Sequence, residues 1–525
     1  MVAALAFAIQ SIAWPLWAGR DAQTYLIYWL EMGSSDPVFP LLMVFRPPLT
    51  PIFFGSTLEL GGPNLAEALM GVLYVLAILA TYCVGAFWSR RLGLAAALVL
   101  AAYPSYGALY HNVSSDGLFA FAFAVWAVFV CATAAAPTPR RFALHGVAIF
   151  LLVLIRPSAQ LFIPVFAVLP FLLPGTAKAR IGNAVAFVVT AAVLLAGFAT
   201  YNSIRYDDFT VSRLSTVQMP LYRVMNHDRL IHPSNGPASR ELAQAIERDL
   251  LTREPYRSYG VTLNEFFNTG RIRMWADLPP LSDRTWGWDS DYSKLREVAL
   301  EAIREHPVDY ARGVARSTAG ILNARYTPIA KQAPPDPFTV ECGPGCVGDG
   351  YVEIEGRRLP EPFEEGEPIP NGAFHWFQSQ PDQDVSLEWT SFESPRFRFE
   401  DEETRRRYLE LRDDIDALMA KLPSRDGSTA LADALNDVTR LQPTMALWLL
   451  VGGLGLWFWP VANRRILVFV CALALTVVVG AALSFPSGVE YHVPSDPFFI
   501  LFGMAGLFGI ALAARRTIGR FSARQ

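Results

Sequence analysis

Several chemistries are excluded by what the sequence lacks. It has no glycine-rich loop followed by Lys to cradle a phosphate, no Gly-x-Ser-x-Gly elbow and no His-Glu-x-x-His zinc pair. The missing nucleotide loop argues against an ATP-driven pump. Apolar segments fall as seven and then three around a polar insertion, without repeated halves, unlike a transporter of the inverted-repeat kind. The net charge is only −4, so no nucleic acid or other polyanion is implied as partner. Cysteine is scarce. Cys83, Cys131 and Cys471 fall in apolar segments as fillers. Cys342 and Cys346 flank Gly-Pro-Gly and are candidates for a small disulfide, since a zinc knuckle would need two further ligands nearby.

What is present is a strongly uneven distribution of apolar residues. The overall 52% hydrophobic content and mean hydropathy of +0.27 are not decisive for a 525-residue chain. Their placement is: apolar runs fill the first two hundred residues and the last eighty, and a polar, Pro-rich block separates them. The expected fold class is an α-helical polytopic membrane protein of about ten spans carrying a large, mainly helical extracytoplasmic insertion. The divisions expected are an N-terminal transmembrane catalytic module over 1–204, the soluble insertion over 205–442, C-terminal transmembrane helices over 443–514 and a cytoplasmic tail over 515–525.

The segments expected to span are 1–17, 65–88, 92–109, 118–136, 142–155, 158–173, 181–201, 445–459, 466–485 and 497–514. The first has neither a basic n-region nor a small-residue cleavage site, so it does not read as a signal peptide. Residues 49–60 are apolar but too short to span and read as a re-entrant or interfacial helix. Arg90/Arg91, Arg140/Arg141, Lys178/Arg180, Arg464/Arg465 and the basic tail fall on one side if the helices alternate, which marks that side as cytoplasmic. The other side then holds Asp21, Arg46, the His111–Asp116 turn, Arg156, the insertion and Glu490-Tyr491-His492. Charges near a membrane are costly unless paired or used. Asp21, where the chain leaves its first apolar segment beside Arg20 and Tyr25, can act as a base or bind a cation.

Within the insertion, 293–305 places Leu295, Val298, Ala299, Ala302 and Ile303 on one helical face, and Pro307 breaks that helix before another begins. Residues 402–422 line up Tyr408, Leu411, Ile415 and Leu418. Both stripes read as packing. Leu278-Pro279-Pro280 and Trp286-Gly287-Trp288-Asp289 read as loops whose aromatics suit sugar stacking or loop anchoring equally.

An acid soon after the first apolar segment, Arg46-Pro47-Pro48, Ser114-Ser115-Asp116-Gly117-Leu118-Phe119, Leu154-Ile155-Arg156-Pro157-Ser158 and the near-terminal Tyr491-His492-Val493-Pro494-Ser495-Asp496-Pro497-Phe498 together resemble the GT-C superfamily. The likeness is to its polyprenyl-phosphate-sugar-dependent branch, the protein O-mannosyltransferases and aminoarabinose transferases. It covers roughly 1–201 and 445–514, not the insertion, so no acceptor is implied. The resemblance implies a multi-pass membrane glycosyltransferase (a hexosyl- or pentosyltransferase) of the cell envelope. A sugar on polyprenyl phosphate enters from the bilayer, and an extracytoplasmic acceptor (cell-wall glycan, lipid or protein) attacks it. Asp21 would be the general base, or help hold a divalent cation, Mg or Mn, with Asp116; no cofactor is required outright. Arg46 and Arg156 would meet the donor phosphate, with Tyr491 and His492. Relatives often carry Arg next to that Tyr; here His492 stands there after Glu490, and it binds phosphate only when protonated or as a neutral donor. Arg20, Tyr25, His111, Asp116 and Glu490 are pocket candidates, and Asp116 reads equally as a helix N-cap. Two other readings remain: a transporter or flippase of lipid-linked sugar, and a non-catalytic envelope assembly protein.

Overall fold

A computed structural model describes the chain except residues 20, 214–219, 254–255, 269–276, 288–291, 328–345, 348–350, 355–356, 361–366, 369–384, 390–394, 400, 459–463, 485–487 and 523–525. The first half is a bundle of α1 (Val2–Ala13), α2 (Ala22–Glu31), α3 (Pro40–Phe45), α4 (Leu49–Ala86), α5 (Arg90–Ala101), α6 (Pro104–Ala108), α7 (Ser115–Ala135), α8 (Pro139–Ile155), α9 (Phe162–Phe166), α10 (Leu169–Leu172) and α11 (Ala177–Tyr206). Between α1 and α2 runs β1 (Trp17–Ala18), and between α6 and α7 runs β2 (Asn112–Val113).

Among the described residues, five helices are long and apolar enough to cross a bilayer: Leu49–Ala86, Ser115–Ala135, Ala177–Tyr206, Arg464–Ser484 and Glu490–Arg515. Arg90–Ala101 and Pro104–His111, bent by 68°, make a sixth if they form one broken span. The protein is therefore a multi-pass membrane protein, and among the described residues five or six helices are long enough to span where about ten spans were expected. Where described, the apolar segments are mainly helical. Several are cut short by proline, which removes an amide donor and restricts the residue before it. Pro15 follows the end of α1, Pro104 opens the second arm of the bent pair, and Pro157, Pro164 and Pro170 break 157–172 into short turns.

The short apolar stretch 49–60 runs on into the next helix across a kink. Gly62 has φ +67° there, a conformation other residues adopt only with strain, and Pro63 restarts the helix. One apolar core joins α4, α5, α7 and α8 to the C-terminal helices around Phe123, Phe162, Phe166 and Phe498. α11 packs on α8 and leaves Ile181, Val185, Val189 and Val193 at least half exposed, an apolar stripe suited to lipid.

The insertion contributes α12 (Pro237–Asp249), α13 (Ser293–Glu305), α14 (Pro307–Asn323), α15 (Glu402–Met419) and α16 (Thr429–Leu441), followed by α17 (Met445–Leu456), α18 (Arg464–Ser484) and α19 (Asp496–Ser522). It also holds two antiparallel three-stranded sheets, β3 (Cys346–Val347) with β4 (Tyr351–Ile354) and β5 (Arg357–Pro360), and β6 (Glu367–Pro368), β7 (Val385–Trp389) and β8 (Pro395–Phe399) in the order β6-β8-β7. Helix breaks after Glu305, as Pro307 dictates, and the faces carrying Leu295, Val298 and Ala302, and Tyr408, Leu411 and Ile415, are buried. Residues 278–280, expected to be loop, open a helix over Leu278–Trp286, because both prolines stand in its first turn, where no amide donor is required; of the second expected loop, Trp288 and Asp289 lie outside the described residues.

The insertion is stapled to the bundle at many points. Phe45 is buried in the core formed by α12 and α13. Arg223, 1% exposed, pairs with Asp228 at 2.8 Å and also donates to the Ala482 carbonyl near the end of α18. Arg425, between α15 and α16, forks onto both oxygens of Glu67 in α4 at 2.7 and 2.8 Å and donates to the Ser11 carbonyl. Glu67 is 5% exposed. Arg425→Ala would leave it a buried, unpartnered carboxylate, and is expected to lower stability by about 1–3 kcal/mol, read as a fall in thermal midpoint in detergent that Glu67→Gln in the same chain largely removes.

Candidate active site

Two arginines are placed by the same local device. Arg46 is the C-cap of α3 and precedes Pro47; Arg156 is the C-cap of α8 and precedes Pro157. A residue before proline is driven out of the helical region, and both are extended, with ψ of 133° and 117°. Each guanidinium thus leaves a helix C-terminus, whose dipole favours a cation.

Each meets a carboxylate at a helix start. Arg46 Nη2 lies 2.9 Å from Asp21 Oδ1. Asp21 stands at the N-cap of α2, but its side chain does not cap; only its backbone carbonyl serves there, accepting from Thr24 Oγ1 at 2.7 Å. Arg156 pairs with Asp116. The N-cap of α7 is Ser114, whose hydroxyl accepts from the Asp116 amide at 3.3 Å, so the Asp116 carboxylate is left for Arg156 and does not cap.

Tyr25 joins the two pairs. Arg46 lies 5.3 Å from the centre of its ring. Burial raises its hydroxyl above the usual phenol range, opposed by Arg46 and the Ser115 hydroxyl and helped by the charges of Asp21 and Asp116. Arg156 lies over Tyr491 at 5.4 Å and over Phe119 at 5.9 Å. Asp21, Tyr25, Arg46, Asp116, Arg156 and Tyr491 therefore form one cluster at one end of the bundle. α7 runs about 30 Å from it, so Arg140 and Arg141 lie at the far end. Within the cluster Asp21 is the open acid, with its side chain 31% exposed against 19% for Asp116.

The register that brings Asp21 to Asp116 is set by β1 and β2, which pair in parallel as Trp17 with Asn112 and Ala18 with Val113. Gly19 follows directly, and a Cβ there would run into the Asn112 side chain and stand 2.8 Å from the Val113 carbonyl. Gly19→Val is expected to force the strands apart and displace Asp21. Any activity that depends on Asp21 should fall about 10²-fold, the effect of a shift of about 1 Å at reacting groups, with a smaller loss in thermal midpoint.

The remaining candidates go elsewhere. His492 is buried and its Nδ1 lies 2.6 Å from Asp496 Oδ1, inside the turn that presents Tyr491. Glu490 is half-buried at the start of that turn. His111 is fully buried, stacked on Phe7 at 4.4 Å and edge-on to Trp14. Arg20, Cys342 and the side chain of Cys346 lie outside the described residues. No three His, Cys, Asp or Glu side chains converge as metal ligands among the described residues. Asp21 and Asp116 each face a guanidinium, a donor set that does not fit Mg or Mn without displacing an arginine.

Glu31 escaped notice in the sequence, and Ser115 was named only within its motif, without a place in the site. Glu31 ends α2 and is 7% exposed, with Oε1 accepting from the Val38 amide at 2.6 Å and Oε2 from Phe39 at 3.2 Å. Burial pushes its carboxyl up to about 7 against the pull of those amides. A lone acid closing the apolar run Leu26-Ile27-Tyr28-Trp29-Leu30 was its only signal.

Comparison with known proteins adds little to this geometry. Neither a protein-family profile nor a curated protein sequence matches the chain. The crystal structure of ArnT from Cupriavidus metallidurans bound to undecaprenyl phosphate aligns over 96% of this chain and 76% of that one, at 13% identity and a TM-score of 0.31. A superposition that loose carries no argument about what this chain is.

Proposed function

We propose that the protein is an integral membrane glycosyltransferase with a GT-C-like arrangement. It moves a sugar from a polyprenyl-phosphate donor to an extracytoplasmic acceptor: a cell-wall glycan, a lipid or a protein. The observation that carries this reading is the meeting of two Asp–Arg pairs around Tyr25 at one end of an apolar helix bundle. The basic turns at the opposite end support placing this end, and the insertion, outside the cytoplasm.

The chemistry needs a base and a stabilised leaving group. The acceptor oxygen bonds to the anomeric carbon and its proton passes to the Asp21 carboxylate. The bond from that carbon to the phosphate oxygen breaks, and polyprenyl phosphate leaves with the electron pair and one more negative charge. Arg46 and Arg156 meet that charge, since a guanidinium grips phosphate through parallel hydrogen bonds. A single displacement inverts the anomeric centre. No metal enters these steps.

The test is transfer or hydrolysis of a panel of radiolabelled polyprenyl-phosphate sugars by purified protein, wild type beside Asp21→Asn. Turnover that disappears in the variant supports the enzyme and identifies the donor. Tight binding by both proteins without turnover turns the assignment to a flippase of lipid-linked sugar. No binding leaves the insertion as the functional part of an assembly protein.

A further inference from the structure

α2 and α3 form a hairpin closed at both ends by an acid of α2. At the end facing the cluster Asp21 meets Arg46; at the other, Glu31 receives the Val38 and Phe39 amides that open α3. The two closures stand about 15 Å apart along α2. Glu31 is 7% exposed, and the hairpin's Ile27, Tyr28, Val38, Phe39 and Leu42 pack on Tyr408 and Leu411 of α15.

We propose that Glu31 is a positioning residue for Arg46: by seating the start of α3 on α2, its carboxylate fixes where the Arg46 guanidinium stands against Asp21 and Tyr25. The inference rests on the reading in which Arg46 meets the donor phosphate. One amide falls on each carboxylate oxygen, and only the ionised form offers both oxygens as acceptors. Protonation turns one oxygen into a donor facing an N–H, and the seat loosens.

The groups that face Glu31 are Asp36 from the connecting loop, Arg407 from α15 and Tyr206 from α11. Tyr28 of α2 lies beside Tyr206. Arg407 also holds Asp36, at 2.7 Å, and Arg205 holds the Ser34 and Ser35 carbonyls. Arg407 favours the carboxylate and Asp36 opposes it; burial outweighs both and brings the midpoint to about 7. The folded value lies above the unfolded one. Glu31's contribution to stability is therefore full in the ordinary carboxylate range and lost as pH rises through 7. If the two amides leave while Glu31 stays covered, the groups that favour its ionised form are lost, so a proton favours that loosened seat; the seat on α3 is then tightest above 7 while the stability of the whole fold falls.

The test is hydrogen exchange of segment 32–41 in the full-length protein between pH 6 and 8.5, expressed as protection. Phenylglyoxal labelling of Arg46, read by mass spectrometry, accompanies it, with wild type beside Glu31→Gln. In wild type, protection is expected to rise about tenfold across the range and Arg46 labelling to fall with it. In Glu31→Gln both are expected to be pH-independent, with low protection and high labelling. The thermal midpoint of wild type relative to Glu31→Gln should drop over the same range. The proposal is overturned if wild-type protection does not titrate, or if segment 32–41 loosens while Arg46 labelling stays unchanged. Should Glu31→Gln not fold, the wild-type pH series alone decides. Neither readout uses a donor, so failure of the glycosyltransferase reading shows separately, as absence of turnover and donor binding in wild type.

Discussion

Asp21→Asn is expected to lower sugar transfer about 10²–10⁴-fold, the usual contribution of a positioned general base, while donor binding and thermal midpoint stay close to wild type. The reasoning is geometric. Asn keeps an oxygen that accepts from Arg46 Nη2, so the 2.9 Å contact survives in weaker form and α3 keeps its place. What is lost is the capacity to take a proton. Asp116 does not substitute, because its side chain is less exposed, 19% against 31% for Asp21. The measurement is single-turnover transfer from the radiolabelled donor, beside equilibrium binding of the same donor. Unchanged transfer in a folded variant would remove Asp21 from the chemistry.

Arg156→Met is expected to destabilise the protein by about 1–3 kcal/mol, the penalty for leaving the carboxylate of a half-buried ion pair without its partner, and to abolish measurable donor binding. Arg156 is 19% exposed, is paired with Asp116 and lies over two aromatic rings, so its removal strands a carboxylate and empties the space under Tyr491. The double variant Asp116→Asn with Arg156→Met separates the two effects. Neutralising the stranded acid should restore most of the thermal midpoint, since residues in one ion pair do not behave additively. It should not restore donor binding, because the phosphate still lacks its second guanidinium. Recovery of binding in the double variant would mean that Arg156 only neutralises Asp116. Arg156→Lys should keep the charge and lose the fork, leaving an intermediate affinity.

The sequence by itself determined the apolar segments, the basic turns and the two Arg-Pro pairs. These are local properties: hydropathy over about 20 residues places a helix in or near a bilayer, and proline after arginine ends a helix with the cation at its tip. It also marked the faces of α13 and α15 correctly, because a 3.6-residue period is written in consecutive residues. The number of helices long enough to span was not legible, since a proline or glycine kink changes helix length without changing mean hydropathy; Gly62 and the bend between α5 and α6 are the cases in point. Tertiary structure alone decided which charges meet. Asp116 and Arg156 stand 40 positions apart and Glu67 and Arg425 stand 358 apart, so no local pattern encodes either pair. The packing of helix ends selected Asp21 for Arg46 and brought Tyr25 to both pairs, whereas His492 meets Asp496 four residues on, a local contact. It also converted Glu31 from a charge at a helix end into a buried one, with the Val38 and Phe39 amides folded back onto its carboxylate.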